Sequence, residues 1–383
     1  MKSKNKILLI LSVPPPFGGG EIRAKQLSNY FSENSEFIII ENSNKSKNKS
    51  NQGKVLLSNV LINIRYIIGN VMTIIKVRPA VVYMSIPKNF IPLLKVLPVL
   101  IITKLFRGKV IGELAGRNFY FLENKGASFW FGLKILKAFN SIRVLGESVN
   151  DTLKSYGLTS NIVIDNGVDI LNQKYNTVKS LKDKSATIGF VGALHKKKGI
   201  YILLEIVKLL KDSNINFTLE IAGEWENPED KLKAENYIEQ NKISKKIKFL
   251  GLIHNDEKWE FYKKIDVFVL PSYNEGQPLV LIEAMGFGIP IVCSGVGAIP
   301  DTVISGYNGF IIEDFRANKY VEEIIKLLRD IGFYEEISLN NLETFERRFK
   351  QMTILKIYMN GYILLVKIKY YKNETTNSKA RVR

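Results

Sequence analysis

Two glutamates, Glu275 and Glu283, stand eight positions apart. An ionised carboxylate accepts hydrogen bonds through both oxygens, in a fork that suits the paired hydroxyls of a sugar or a ribose. Such spacing arises often by chance, and by itself it leaves Glu275 as an exposed loop acid and Glu283 as an acid on a helix surface. The setting strengthens it: VFVLPSYNEGQPLVLIEAMGFGIPIVCSGVGAIPDTVISGYNG, residues 267–309. An apolar strand ends at Pro271 and a loop follows over residues 272–277. Pro278 suits the first residue of a helix, and Gly288 and Pro290 stop that helix near Phe287. The free amides and positive dipole end at its start suit a phosphate. One acid before the helix and one along it would grip a nucleotide-linked sugar at two points, with the diphosphate between.

A second constellation is FVGALHKKKG, residues 190–199. Gly192 allows close backbone approach, and Lys198 offers a cation to phosphate. Read alone, Lys198 is a solvated lysine in a KKK run; its fixed placement beside Gly192 and Gly199 favours the phosphate role.

These groups need a frame. Short apolar runs alternate with amphipathic stretches along the chain, the pattern of an α/β fold with parallel sheets. Strands are expected at 7–13, 37–41, 80–85, 110–114, 141–145 and 161–164, with helices including 21–31, 57–75 and 128–139. After a polar stretch at 171–184, strands are expected at 187–191, 217–222, 247–250, 267–270 and 289–293. Two such series predict two Rossmann-like domains facing across a cleft, with ligands at the carboxyl ends of the strands. Residues 42–54 read as a polar loop. Residues 345–371 read as helical, and 372–383 as a polar, frayed tail.

Composition narrows the class. The chain has 383 residues, 46% hydrophobic and 24% charged, which fits a globular protein of two domains. One cysteine, Cys293, and two histidines, His195 and His254, exclude an internal disulfide and a Cys/His zinc site. The start, MKSKNKILLILSVPPP, reads as a buried first strand and not as a signal peptide. Residues 90–106 are too interrupted by Pro92, Lys95, Pro98 and Lys104 to span a membrane. The net charge of +18 is concentrated early, and no acid occurs between Glu41 and Glu113. Such a field attracts anionic surfaces. No nucleic-acid-binding motif accompanies it. Lysines and apolar residues interleave over 89–109, which suits an anionic bilayer surface, and equally a solvated basic face on a core helix.

Residues 271–291 resemble the E-x7-E signature of retaining glycosyltransferases with the GT-B fold, in particular glycosyltransferase family 4. The segments GVGAIPD (295–301) and Asn308-Gly309 resemble later landmarks of that family. So do Asn166-Gly167-Val168-Asp169 at the crossing between domains, the FVGALHKKKG loop, and Gly18, Gly19 and Gly20 in the glycine loop facing the acceptor. The resemblance implies an N-terminal acceptor-side domain at 1–168 and a C-terminal nucleotide-sugar domain at 169–345. It implies a final segment at 346–383 that returns to the first domain. It further implies Glu275 and Lys198 as catalytic residues. The donor would be held by Gly192, Lys198, Glu275, Gly276, Gln277, Pro278, Leu279 and Glu283, with Glu275 on the sugar and Glu283 on the ribose. No cofactor or metal is implied, since no D-x-D motif is present.

The expected partners are a nucleotide-diphosphate sugar and a glycan or lipid-linked acceptor. The expected place is the cytoplasm, at the inner membrane face, in surface polysaccharide biosynthesis. Two departures stand out: Ala193 replaces a usual arginine, and GELAGR (112–117) lacks a usual histidine. They leave room for an inactive relative acting as a membrane-associated scaffold. A dinucleotide-dependent dehydrogenase is disfavoured, because Gly18–Gly20 is not a GxGxxG loop.

Overall fold

The computed structural model describes residues 5–11, 19–33, 37–41, 57–114, 126–170, 178–181, 185–351 and 353–355. The chain divides into two units: Met1–Asn166 with Ile354–Arg383, and Gly167–Thr353.

The first unit holds strands β1 (Asn5–Ile10), β2 (Phe37–Glu41), β3 (Val81–Ser85), β4 (Lys109–Glu113), β5 (Ser141–Val144) and β6 (Asn161–Val163). They form one parallel sheet in the order β2-β1-β3-β4-β5-β6. Its helices are α1 (Gly19–Glu33), α2 (Leu57–Val77), α3 (Phe90–Leu94), α4 (Leu97–Leu105), α5 (Ala127–Lys137) and α6 (Glu147–Ser155). Successive strand residues point to opposite faces, so the runs Ile7 to Ile10 and Val81 to Met84 serve two cores. Leu8, Ile10, Val82 and Met84 pack with Ile74 of α2, Leu93 of α3, Val99 of α4, Leu133 of α5 and Val149 of α6. Ile7, Leu9, Val81 and Tyr83 pack with Ala24 and Leu27 of α1 and with Ile354 and Leu355.

The second unit repeats the plan with β7 (Ala186–Val191), β8 (Phe217–Ala222), β9 (Ile247–Gly251), β10 (Val267–Leu270), β11 (Ile291–Ser294) and β12 (Gly309–Ile312). Their parallel order is β12-β11-β10-β7-β8-β9. Helices α7 (Ile200–Asp212), α8 (Pro228–Gln240), α9 (Asn255–Lys264), α10 (Leu279–Gly286), α11 (Ala317–Arg329) and α12 (Ile331–Thr344) complete it. In both units the sheet order reverses beside the first strand, the topology of a doubly wound α/β fold.

Several expectations need correction. Gly19 and Gly20 form the first turn of α1 and not a loop, while Gly18 lies outside the described residues. The helix expected over 345–371 is interrupted within its described part. After α12 a π turn spans Phe345–Phe349, and Lys350 is extended. There the chain pairs with Val168: Val168 N donates to Phe349 O at 2.9 Å and Gln351 N to Val168 O at 3.0 Å. Backbone pairing thus replaces helix where the chain leaves the second unit. The strand β12 was not expected; its four residues are too short to stand out from the loop around them. The low-complexity stretch at 42–54 and Ala115 to Arg117 lie outside the described residues.

Candidate active site

The site lies at the carboxyl ends of β7 and β10, where parallel α/β sheets collect ligands. After β7 the chain makes a bridge at Leu194 to Trp225 and then a 3₁₀ turn, Lys196–Lys198. His195 caps that turn, its Nδ1 accepting from Lys197 N at 3.2 Å. Asp230, in the first turn of α8, accepts from Lys196 N at 3.2 Å and from the Tyr201 hydroxyl at 2.5 Å. Asn227 caps α8 by accepting from Asp230 N at 2.7 Å, and its Nδ2 donates to Asp230 Oδ2 at 2.8 Å. Burial, then the Asp230 carboxylate, pushes the Tyr201 phenol up to about 12. The Tyr201 hydrogen bond, with that of Asn227, holds Asp230 below the usual carboxylate range. The turn is therefore anchored by a proton donor and an anion that both keep their states at neutral pH.

On its other side the turn meets the loop after β10. Tyr273 N donates to Lys197 O at 3.0 Å. Gly199 has φ +77°, and a Cβ there would lie 1.9 Å from the Pro271 carbonyl oxygen. Only glycine permits both the left-handed backbone and this approach. The result is a short ion pair: Lys198 Nζ donates to Glu275 Oε1 at 2.6 Å, with the Glu275 side chain 8% exposed. The two residues proposed to act separately, one on phosphate and one on sugar, thus come together. The loop carrying Glu275 is braced from behind, where Ala298 N donates to Gly276 O at 2.8 Å.

The start of α10 differs by one residue from expectation. Pro278 is its N-cap, with φ −69° and ψ 125°, and Leu279 is the first helical residue. The extended ψ of Pro278 keeps it outside the helix while its carbonyl accepts from Leu281 N at 3.2 Å. The first two amides of the helix, Leu279 N and Val280 N, have no carbonyl within it to donate to. Gln277 is buried and donates from Nε2 to Thr302 Oγ1 at 3.1 Å, so its side chain serves the loop packing. Leu279 is half-buried against the core of the second unit.

Glu283 is a core-side acid and not a surface one, at 5% exposure. Lys258 Nζ donates to its Oε1 at 2.6 Å and the Tyr262 hydroxyl to its Oε2 at 2.8 Å. Both partners lie on α9 and neither was anticipated: NDEKWEFYKK has no spacing that singles out Lys258 and Tyr262. Burial and then Glu283 raise the Tyr262 phenol well above its ordinary value. Tyr262 and Trp259 stack on Phe287 at 5.6 and 5.9 Å between centroids, and Lys258 sits over Trp259 at 4.6 Å.

A Cβ at Gly192 would meet only the Phe190 ring, at 3.3 Å. The tight approach belongs to Gly223, whose added Cβ would lie 1.9 Å from Gly192 O. Lys196 and Lys197, the two lysines near Ala193, have exposed side chains. In the first unit, Glu113 is engaged at the end of β4. It accepts from the Tyr83 hydroxyl at 2.6 Å and from Arg143 at 3.3 Å, all three being buried. Arg143 also donates to Asp165 O and Asn166 Oδ1, at 3.0 and 3.1 Å, tying down the end of the first unit. Among the described residues no three His, Cys, Asp or Glu come together as a metal site.

The loop, helix start and paired acids after β10 lie within the segment 172–343, which matches the family model described as glycosyl transferases group 1. Among relatives of the group 1 segment is the capsular polysaccharide biosynthesis glycosyltransferase CapM of Staphylococcus aureus. It is 29% identical over 229 residues, 54% of this chain and 58% of CapM. The chain spans about half the length of the curated relatives it matches. The fold of the whole chain is GT-B, as in sucrose-phosphate synthase from Thermosynechococcus elongatus. That match has TM-score 0.73 and 16% identity, covering 95% of this chain and 100% of the other. The Anabaena protein HepE, solved in complex with UDP, matches with TM-score 0.73 and 16% identity over 94% and 99% of the two chains.

Proposed function

We propose that this protein is a retaining glycosyltransferase of family 4, which moves a sugar from a nucleotide-diphosphate donor to a glycan or lipid-linked acceptor in surface polysaccharide biosynthesis. The observation that carries the reading is the Lys198–Glu275 pair beside the open N-terminus of α10, with Glu283 buried further along that helix. The group 1 segment, the name of CapM and the UDP in HepE support it at the level of family and donor class.

In this reading the bond between the anomeric carbon and the diphosphate breaks, and the sugar is joined to an acceptor hydroxyl on the same face. Negative charge grows on the leaving phosphate oxygens. Lys198 and the amides around residues 276–279 stabilise it, and preorganised donors of this kind supply much of an enzyme's rate. Glu275 holds Lys198 in place in the free protein and accepts from sugar hydroxyls in the complex. Glu283, fixed by Lys258 and Tyr262, accepts from the ribose. No step requires a metal.

Sugar release from a panel of UDP-, GDP- and ADP-sugars tests this. With the accepted donor, Glu275→Gln and Lys198→Ala should each lower kcat by about 10²–10³, the usual cost of one such donor or its positioning group. Melting curves serve as the check on folding. Turnover at the wild-type rate in both variants, or binding without turnover in the wild type, would overturn it.

A further inference from the structure

The first two amides of the 3₁₀ turn that carries Lys198 are held by acceptors of different kinds. Lys196 N donates to the Asp230 carboxylate at 3.2 Å, and Lys197 N to His195 Nδ1, also at 3.2 Å. The hydrogen bonds of Tyr201 and then Asn227 keep Asp230 below the usual carboxylate range, so it stays an anion in weak acid. His195 is the acceptor that can change, because histidine is the side chain that ordinarily gains or loses charge between about pH 5 and 8. Its hydrogen bond also fixes where the proton of the neutral ring sits. A backbone N–H can only donate, so Nδ1 must present its lone pair to Lys197. The ring proton is then on Nε2, which faces Glu226 Oε2 at 3.6 Å. The backbone of His195 is extended, φ −159° and ψ 166°, as a helix cap requires.

A second proton on this ring goes to Nδ1, where it points at the Lys197 N–H. Two donors then face each other and the cap is lost. The charged groups facing the ring are the carboxylates of Glu226 and Asp230, before and within the first turn of α8, and both favour the imidazolium. Lys196 and Lys197 follow it in the chain. Lys197 is also the residue that ties the turn to the loop after β10, its carbonyl accepting from Tyr273 N at 3.0 Å. Lys198 comes next, with its ammonium on Glu275 Oε1 at 2.6 Å. We propose that neutral His195 is a positioning residue for Lys198, and that protonation of His195 loosens the turn and lowers turnover. The effect on turnover rests on the transferase reading; the state of the ring does not. The chain has two histidines, and the other, His254, stands before α9 with no side-chain cap bond. The diphosphate of a nucleotide-sugar has no group that titrates in the histidine window. An acid limb there can therefore be assigned to one ring.

The test follows kcat/KM for the accepted nucleotide-sugar across the histidine window. In the wild type it should fall on the acid side. His195→Ala removes the cap and should lower kcat/KM at least about threefold at the alkaline end. His195→Asn places Oδ1 two bonds from Cβ, as Nδ1 is, so it should recover most of that loss and show no acid limb. His254→Asn should keep the limb. Two readouts do not depend on turnover. Nitrogen NMR of the full chain should show His195 as the Nε2-protonated tautomer at neutral pH. Acidification should lower the exchange protection of the Lys197 amide in the wild type and not in His195→Asn. The proposal is overturned by a wild type without an acid limb, by a limb that survives in His195→Asn, or by full activity in His195→Ala. A neutral ring protonated on Nδ1 would overturn it as well. If no nucleotide-sugar is turned over, the transferase reading falls, and the tautomer and the Lys197 protection decide whether His195 holds the turn.

Discussion

At the scale of single residues, each acid of the pair has a basic partner, and the two partners differ in what they leave available. Lys198 is 29% exposed beside Glu275, so an arriving anion can reach it without unfolding anything. Glu283 is held by a buried phenol and a partly exposed ammonium. Removing the phenol leaves a buried carboxylate short of one donor, a change that typically costs about 1–3 kcal/mol. Tyr262→Phe should lower stability by that amount in urea unfolding and raise the donor KM more than it lowers kcat. The folded-state phenol is raised above its unfolded value, so its contribution is fully present below the unfolded value near 10. It is lost as pH rises through the higher folded value. Wild type and Tyr262→Phe should therefore converge in stability only in strong alkali. Much of this was not legible in the sequence. Glu275 and Glu283 could be picked out because their spacing is local. Lys258 could not, since it pairs with Glu283 from 25 positions away on another helix.

Elements set the geometry that these residues need. The 3₁₀ turn bearing Lys198 is pinned by Asp230 and His195 on one side and by the backbone of Pro271 and Tyr273 on the other. Gly199 is where the two loops touch. Gly199→Ala should cost about 1–3 kcal/mol for the left-handed backbone, and the approach to Pro271 O adds a clash. Loss of the Lys198–Glu275 contact should follow, read as a fall in kcat larger than the change in melting temperature explains. The signal for Gly199 was present as the last residue of the KKKG run. The signal for Asp230 was also local: Asn227-Pro228-Glu229-Asp230 has the Asn cap, the following proline and the first-turn acids of a helix start. What sequence could not say is that this helix start would be turned toward the Lys198 turn.

At the scale of the whole molecule, the chain leaves its first unit once and comes back. Ile354 and Leu355, each 4% exposed, lie with Ile7, Leu9, Val81 and Ile164 in a core of the first unit. Truncating a buried leucine usually costs about 2–5 kcal/mol, from lost transfer energy and the cavity left behind. Leu355→Ala should therefore destabilise the first unit by that amount. Amide exchange should accelerate in β1 and β3 and stay unchanged in β7 and β10.

The sequence by itself determined the alternation of strands and helices, the parallel sheets and the candidate donor loop around Glu275 and Glu283. These follow from local patterns: apolar runs, helix stops, and acids at a fixed distance from a helix start. Tertiary structure decided which cations meet the acids, since Lys198 reaches Glu275 across 77 positions. It moved Pro278 outside α10, buried Glu283, broke the expected final helix at Lys350, and bound Glu113 to Arg143 and Tyr83. It also left Met72 of α2, Leu105 of α4 and Trp130 of α5 exposed, because a helix buries only the side that its neighbours cover. Each of these outcomes depends on groups far apart in the chain, and a one-dimensional pattern carries no information about which distant groups will share a surface.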